Sequence, residues 1–95
     1  MRSVTTKLSL DELRRGIDSV DQKILELLLQ RVGLVMAVGE YKRERGIPVY
    51  DPSREHDLLD RLCKAAQPPL RSETVRNIFE RIIDESRRIE QHHIE

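Results

Sequence analysis

The chain has 95 residues, 38% apolar and 36% charged, with 17 basic residues cancelled by 17 acidic ones. That length suits a single domain spanning residues 1–95, and the balance suits amphipathic helices around a thin core. No net field draws it to nucleic acid or to an anionic membrane, and three aromatic residues offer no base-stacking platform. A lone Cys63 fits a reducing, cytoplasmic setting. The first ten residues, MRSVTTKLSL, carry no apolar signal-peptide core, and no apolar run nears the ~20 residues that span a membrane.

Ser9 with Glu12 three residues on is a capping-box pattern and predicts a first helix over about 9–45. Its apolar positions are Leu10, Leu13, Ile17, Val20, Ile24 and Leu27, then Arg31, Leu34, Val38 and Tyr41. The steps alternate four and three, as in a heptad seam. Gly46 followed by Pro48 should end the helix, which would be ~50 Å long. Asp51 as N-cap and Pro52 as first residue predict a second helix over about 52–66, ~22 Å long, stopped by the sequence QPP at 67–69. Its stripe is Leu58, Leu59, Leu62 and Ala66. A third helix is predicted over about 72–92, ~30 Å long, with Val75, Ile78, Phe79, Ile82, Ile83 and Ile89 at helical spacing. No segment alternates like a strand, so the fold class is all-α.

Short connections make successive helices antiparallel. Two short helices cannot cover the whole seam of a long one, and a long bare apolar stripe is a partner surface. The expectation is therefore an intertwined homodimer with the long helices packed together; a monomeric bundle with a bent first helix is the alternative.

Polar residues interrupt the apolar faces at particular places. Arg31 occupies a seam position, and Lys42, eleven residues on, projects from nearly the same side. Glu55 lies one turn before Leu58 and Leu59, Ser86 continues the stripe of the third helix, and Glu90 is i+4 from Ser86. In an up–down–up arrangement these groups converge on one end of the bundle. Arg14 lies ~42 Å from Lys42 along the helix, so it can serve such a site only across an antiparallel dimer. Convergent cations suit a small molecule bearing carboxylates or phosphates. There is no phosphate-binding glycine loop and no nucleophile with a positioned base. His56, His92 and His93 lack metal-ligand spacing and read as surface residues, so no metal or other cofactor is expected. Any chemistry must act through orientation and electrostatics.

The string LRRGIDSVDQKILELLLQR, followed by VGEYK, DPSRE and IIDES, resembles the all-helical class of chorismate mutase over about residues 8–91. That family is an intertwined dimer of three-helix chains and rearranges chorismate to prephenate on the shikimate route to phenylalanine and tyrosine. The resemblance implies carboxylate binding by Arg14 of one chain and Arg31 of the other. It implies that Lys42 contacts the breaking ether oxygen and a carboxylate. Glu55 would hold the ring hydroxyl with Asp51 nearby, and Arg54 and Ser86 would complete the carboxylate end. Many bacterial members carry Gln where this chain has Glu90. An ionised Glu90 would repel negative charge growing on the ether oxygen, whereas a protonated one could donate a hydrogen bond to it. Gln91 points about 100° away from the Ser86 face.

Each residue also has a plainer reading. Arg31 could form a structural ion pair, Glu55 could pair with Lys42, Ser86 could bond back to its own helix and Glu90 could be solvated. Two other functions share the scaffold: an isochorismate-pyruvate lyase and a non-catalytic helical dimerisation or regulatory module. The intact DPSRE segment favours the mutase over the lyase, and convergent cations set both apart from a plain dimerisation module. Association with another shikimate-pathway enzyme is compatible with the resemblance.

Overall fold

A computed structural model describes residues 7–94. Residues 1–6, most of the segment read for a signal sequence, lie outside the described residues. Three helices follow in chain order: α1 (Leu10–Arg45), α2 (Pro52–Lys64) and α3 (Ser72–Ile94). No strand occurs among the described residues, so the all-α expectation holds. Among the described residues no helix is long and apolar enough to cross a membrane.

The helix ends follow from local chemistry. The Ser9 amide donates to Glu12 Oε1 at 3.0 Å while the Glu12 amide donates to Ser9 Oγ at 3.1 Å, a closed capping box. At the other end Gly46 adopts φ +68°. The Ile47 amide reaches the Lys42 carbonyl at 2.8 Å and the Gly46 amide reaches Arg43 at 3.3 Å. This pair of bonds is a Schellman motif, which satisfies carbonyls that the last turn leaves open. Asp51 caps α2 by accepting the Arg54 amide at 3.1 Å, with Pro52 behind it. α2 stops at Lys64, two residues earlier than the QPP sequence suggests. The Ala65 amide is shared between the Arg61 and Leu62 carbonyls, so the last turn tightens before the prolines are reached. α3 runs two residues beyond the predicted end.

The chain forms two compact units, divided between Arg31 and Val32. In the first, the α1 residues Leu10, Leu13, Ile17, Val20, Ile24 and Leu27 are all exposed, Leu27 by 63%. In the second, α2 packs on α3. Val75, Phe79 and Ile82 are half-buried and Ile83 is buried, and Leu58, Leu59 and Leu62 are half-buried on α2. Ile78 and Ile89, eleven residues apart on the flank of α3, stay exposed. The α1 segment of this unit buries Gly39 and half-buries Val32, Val35, Met36 and Lys42. Leu34, Val38 and Tyr41, which continue the heptad seam, remain exposed. The covered side of this segment is thus rotated away from the seam, and Lys42 belongs to the covered side.

A methyl group added at Gly46 would meet no atom within 4 Å, so only the backbone resists a side chain there. Gly46→Ala should therefore cost about 1 kcal/mol, the penalty of a left-handed alanine, seen as a lower urea midpoint at unchanged m-value.

Candidate active site

Lys42 in the last turn of α1 pairs with Glu90 in the later turns of α3, with Ser86 buried one turn earlier on α3. The Schellman turn at Gly46 brings the following chain back beneath Lys42, whose Nζ donates to the Val49 carbonyl at 2.8 Å. The same ammonium lies 3.6 Å from Glu90 Oε2, close enough for an ion pair and too far for a hydrogen bond. Glu90 is only 7% exposed, and its Oε2 accepts no hydrogen bond. One turn earlier Ser86 is 8% exposed, and its hydroxyl donates to the Ile82 carbonyl at 2.7 Å. Both polar groups are buried because they extend the Val75–Phe79–Ile83 face of α3, Ser86 three residues after Ile83 and Glu90 four after Ser86.

A second cluster joins α2 to α3. The Asp51 cap fixes the first turn of α2 and so places Glu55, whose carboxylate is gripped on both oxygens by Arg87. Arg87 Nε donates to Oε2 at 3.0 Å and Nη2 to Oε1 at 3.3 Å. Nη2 also reaches Asp84 Oδ1 at 2.9 Å, and the guanidinium stands 4.9 Å from the centroid of the Tyr50 ring. Bonding to Glu55 raises the Arg87 pKa above its already high value, so this cation stays charged at any working pH.

The predicted residues therefore fall into groups. Lys42 and Glu90 come together, Ser86 is buried one turn before Glu90, and Glu90 is buried rather than solvated. Glu55 pairs with Arg87, not with Lys42. Asp51 and Arg54 are exposed at the start of α2. Arg14 and Arg31 belong to the first unit, where Arg14 is exposed and Arg31 half-buried. Ser86 does bond back to its own helix, as the plainer reading of it allows.

Arg87, Asp84 and Tyr50 are the residues that sequence reasoning missed. One signal was present: Arg87 is i+4 from Ile83, so its stem follows the buried face of α3. His93, read as a surface residue, contacts the Glu40 carboxylate and thereby ties α3 to α1. Cys63 and Ser72 exchange side-chain-to-carbonyl contacts at the α2–α3 corner, so the thiol has a structural role there. Among the described residues no group of three His, Cys, Asp or Glu side chains is placed to hold a metal ion. The buried cluster offers cationic and hydrogen-bonding groups to a ligand, with no activated nucleophile.

A family model described as chorismate mutase type II matches residues 13–91. The chorismate mutase of Methanocaldococcus jannaschii is 34% identical over 87 residues, covering 90% of this chain and 88% of that protein. The T-protein of Enterobacter agglomerans is 40% identical over 81 residues, covering 81% of this chain and 21% of that longer protein. The crystal structure of chorismate mutase from Helicobacter pylori in complex with prephenate superposes with a TM-score of 0.82 at 27% identity, covering 90% of this chain and 92% of that one. A match of this extent in sequence, helix order and fold places the chain in the chorismate mutase type II family.

Proposed function

We propose that this protein rearranges chorismate to prephenate in aromatic amino-acid biosynthesis. The observation that carries the reading is the buried pair between Lys42, which closes the VGEYK motif, and Glu90, whose Oε2 accepts no hydrogen bond. The reaction is unimolecular: the ether C–O bond breaks as a C–C bond forms within the same molecule. It needs no nucleophile, and neither a proton nor an electron is gained or lost overall. The protein has two tasks. It holds the compact conformer in which the reacting ends meet, and it stabilises the negative charge that grows on the ether oxygen.

In this reading Lys42 contacts the ether oxygen from one side and Glu90 from the other. Glu90 acts protonated, because an ionised carboxylate would oppose the growing charge. Glu55 accepts the ring hydroxyl close to Asp51. Arg31, Arg54 and Ser86 receive the carboxylates, together with Arg14 from a second chain. The exposed apolar positions Leu13, Ile17, Val20, Ile24 and Leu27 support a homodimer, since they are the surface a second long helix would cover. We also assign the whole of residues 1–95 to a single mutase domain, working in the cytoplasm. Association with another enzyme of the same route is compatible with the longer T-protein relative.

Incubation of the purified chain with chorismate should yield prephenate, whereas isochorismate should yield neither salicylate nor pyruvate. Product identification by chromatography separates mutase, lyase and inert module. Arg31→Ala should lower kcat/KM by about a hundredfold or more while size-exclusion chromatography still shows a dimer; a fully active variant would remove Arg31 from the site. Glu90→Gln, which keeps a hydrogen-bond donor and carries no charge, should hold kcat/KM on chorismate within about tenfold of the wild type, whereas Glu90→Ala should lower it by about a hundredfold; a fully active Glu90→Ala would remove Glu90 from the site.

A further inference from the structure

Arg87 lies outside every role assigned so far, yet it is one of the most constrained cations in the chain. Its fork takes both Glu55 oxygens, at 3.0 and 3.3 Å, which fixes the plane of the carboxylate as well as its position. Asp84 holds the same guanidinium at 2.9 Å, and the Tyr50 ring lies against it at 4.9 Å. Arg87 is therefore set from two directions besides Glu55, and its side chain is only 28% exposed. A surface ion pair between two mobile side chains would have none of this support.

The hydrogen-bond arithmetic gives this arrangement a purpose. An ionised carboxylate has about four lone-pair sites, and a two-point fork uses one on each oxygen. One site on each oxygen is left for another donor. A hydroxyl arriving at Glu55 thus meets an acceptor whose direction is already set, with no rotamer freedom left to lose on binding.

We propose that Arg87 is a positioning residue, holding the Glu55 carboxylate in the plane from which it accepts the substrate's ring hydroxyl. This rests on the reading of Glu55 as the acceptor for that hydroxyl. Arg87 itself touches no reacting atom. A lysine could supply the charge at this place but not the two-point fork.

The test is a double-mutant cycle on the full chain with chorismate as substrate. kcat and KM are measured for Arg87→Met, Arg87→Lys, Glu55→Ala and the Arg87→Met/Glu55→Ala double variant, with circular dichroism and thermal unfolding on each. Arg87→Met should lower kcat/KM about tenfold, the scale of a misaligned contact, with its helical spectrum retained. In the Glu55→Ala background the same change should have no further effect, because the group it positions is gone. Arg87→Lys, the gentler change, should remain several-fold impaired.

An equal loss from Arg87→Met in both backgrounds would overturn the proposal, since it would mean a structural role or a direct substrate contact. Full activity of either Arg87 variant would overturn it as well. Should Arg87→Met fail to fold, the folded Arg87→Lys variant still decides. Full activity of Glu55→Ala would instead overturn the underlying reading of Glu55, a result distinct from an impaired Glu55→Ala beside a fully active Arg87→Met.

Discussion

The burial of the Glu90 carboxylate beside the Lys42 ammonium is the interaction around which the second unit is arranged. Taking both groups out of water costs several kcal/mol per ion, and their attraction offsets this fully only when hydrogen bonds complete the pairing. Here they do not: the two atoms stand 3.6 Å apart and Glu90 Oε2 accepts no bond. A pair of well-packed apolar side chains would hold α1 and α3 together at least as well. The pair is therefore a poor stabiliser for its position, with Glu90 Oε2 left without a hydrogen-bond donor.

The same economy runs through the apolar residues. Ile83 is the one large hydrophobic buried among the described residues, while the α1 seam on both sides of Arg31 and the Ile78–Ile89 flank of α3 are open to water. A chain this short has too little interior to cover a helix of 36 residues. Local chemistry carries much of the organisation instead: a capping box, an Asp cap backed by proline and a Schellman turn end the helices at defined places. These devices fix where α1 begins and ends and where α2 begins, and so place Lys42 and Glu55. The second unit can therefore hold its polar cluster on modest packing, with the remaining apolar surface available to a partner helix.

Much of this was legible in the sequence because it depends on short-range patterns. Ser9 with Glu12, Asp51 with Pro52, and Gly46 before Pro48 each state a helix end within four residues, and all three ends formed as read. The α3 face was legible too, since Ser86 and Glu90 continue the spacing of Phe79 and Ile83. The stop at Lys64 was not, because the tightened turn at Ala65 depends on how α2 meets the α3 corner. The partner of Glu55 escaped for a related reason. Arg87 sits i+3 from Asp84 beside another arginine, which in sequence is indistinguishable from a solvated helix face. Only the packing of α2 on α3 selects Arg87 over its neighbour, and that is a long-range fact.

Charge counting in the second unit sharpens what the site requires. Lys42 and Arg87 face Glu55, Asp84 and Glu90, so with every group ionised the cluster carries one net negative charge. Such a cluster would repel a dicarboxylate. Arg54, exposed at the start of α2 in the same unit, brings the balance to neutrality. A chain of 17 basic and 17 acidic residues likewise has no net field with which to draw an anion in. Selectivity then rests on the geometry of a few fixed groups more than on any field of the whole protein.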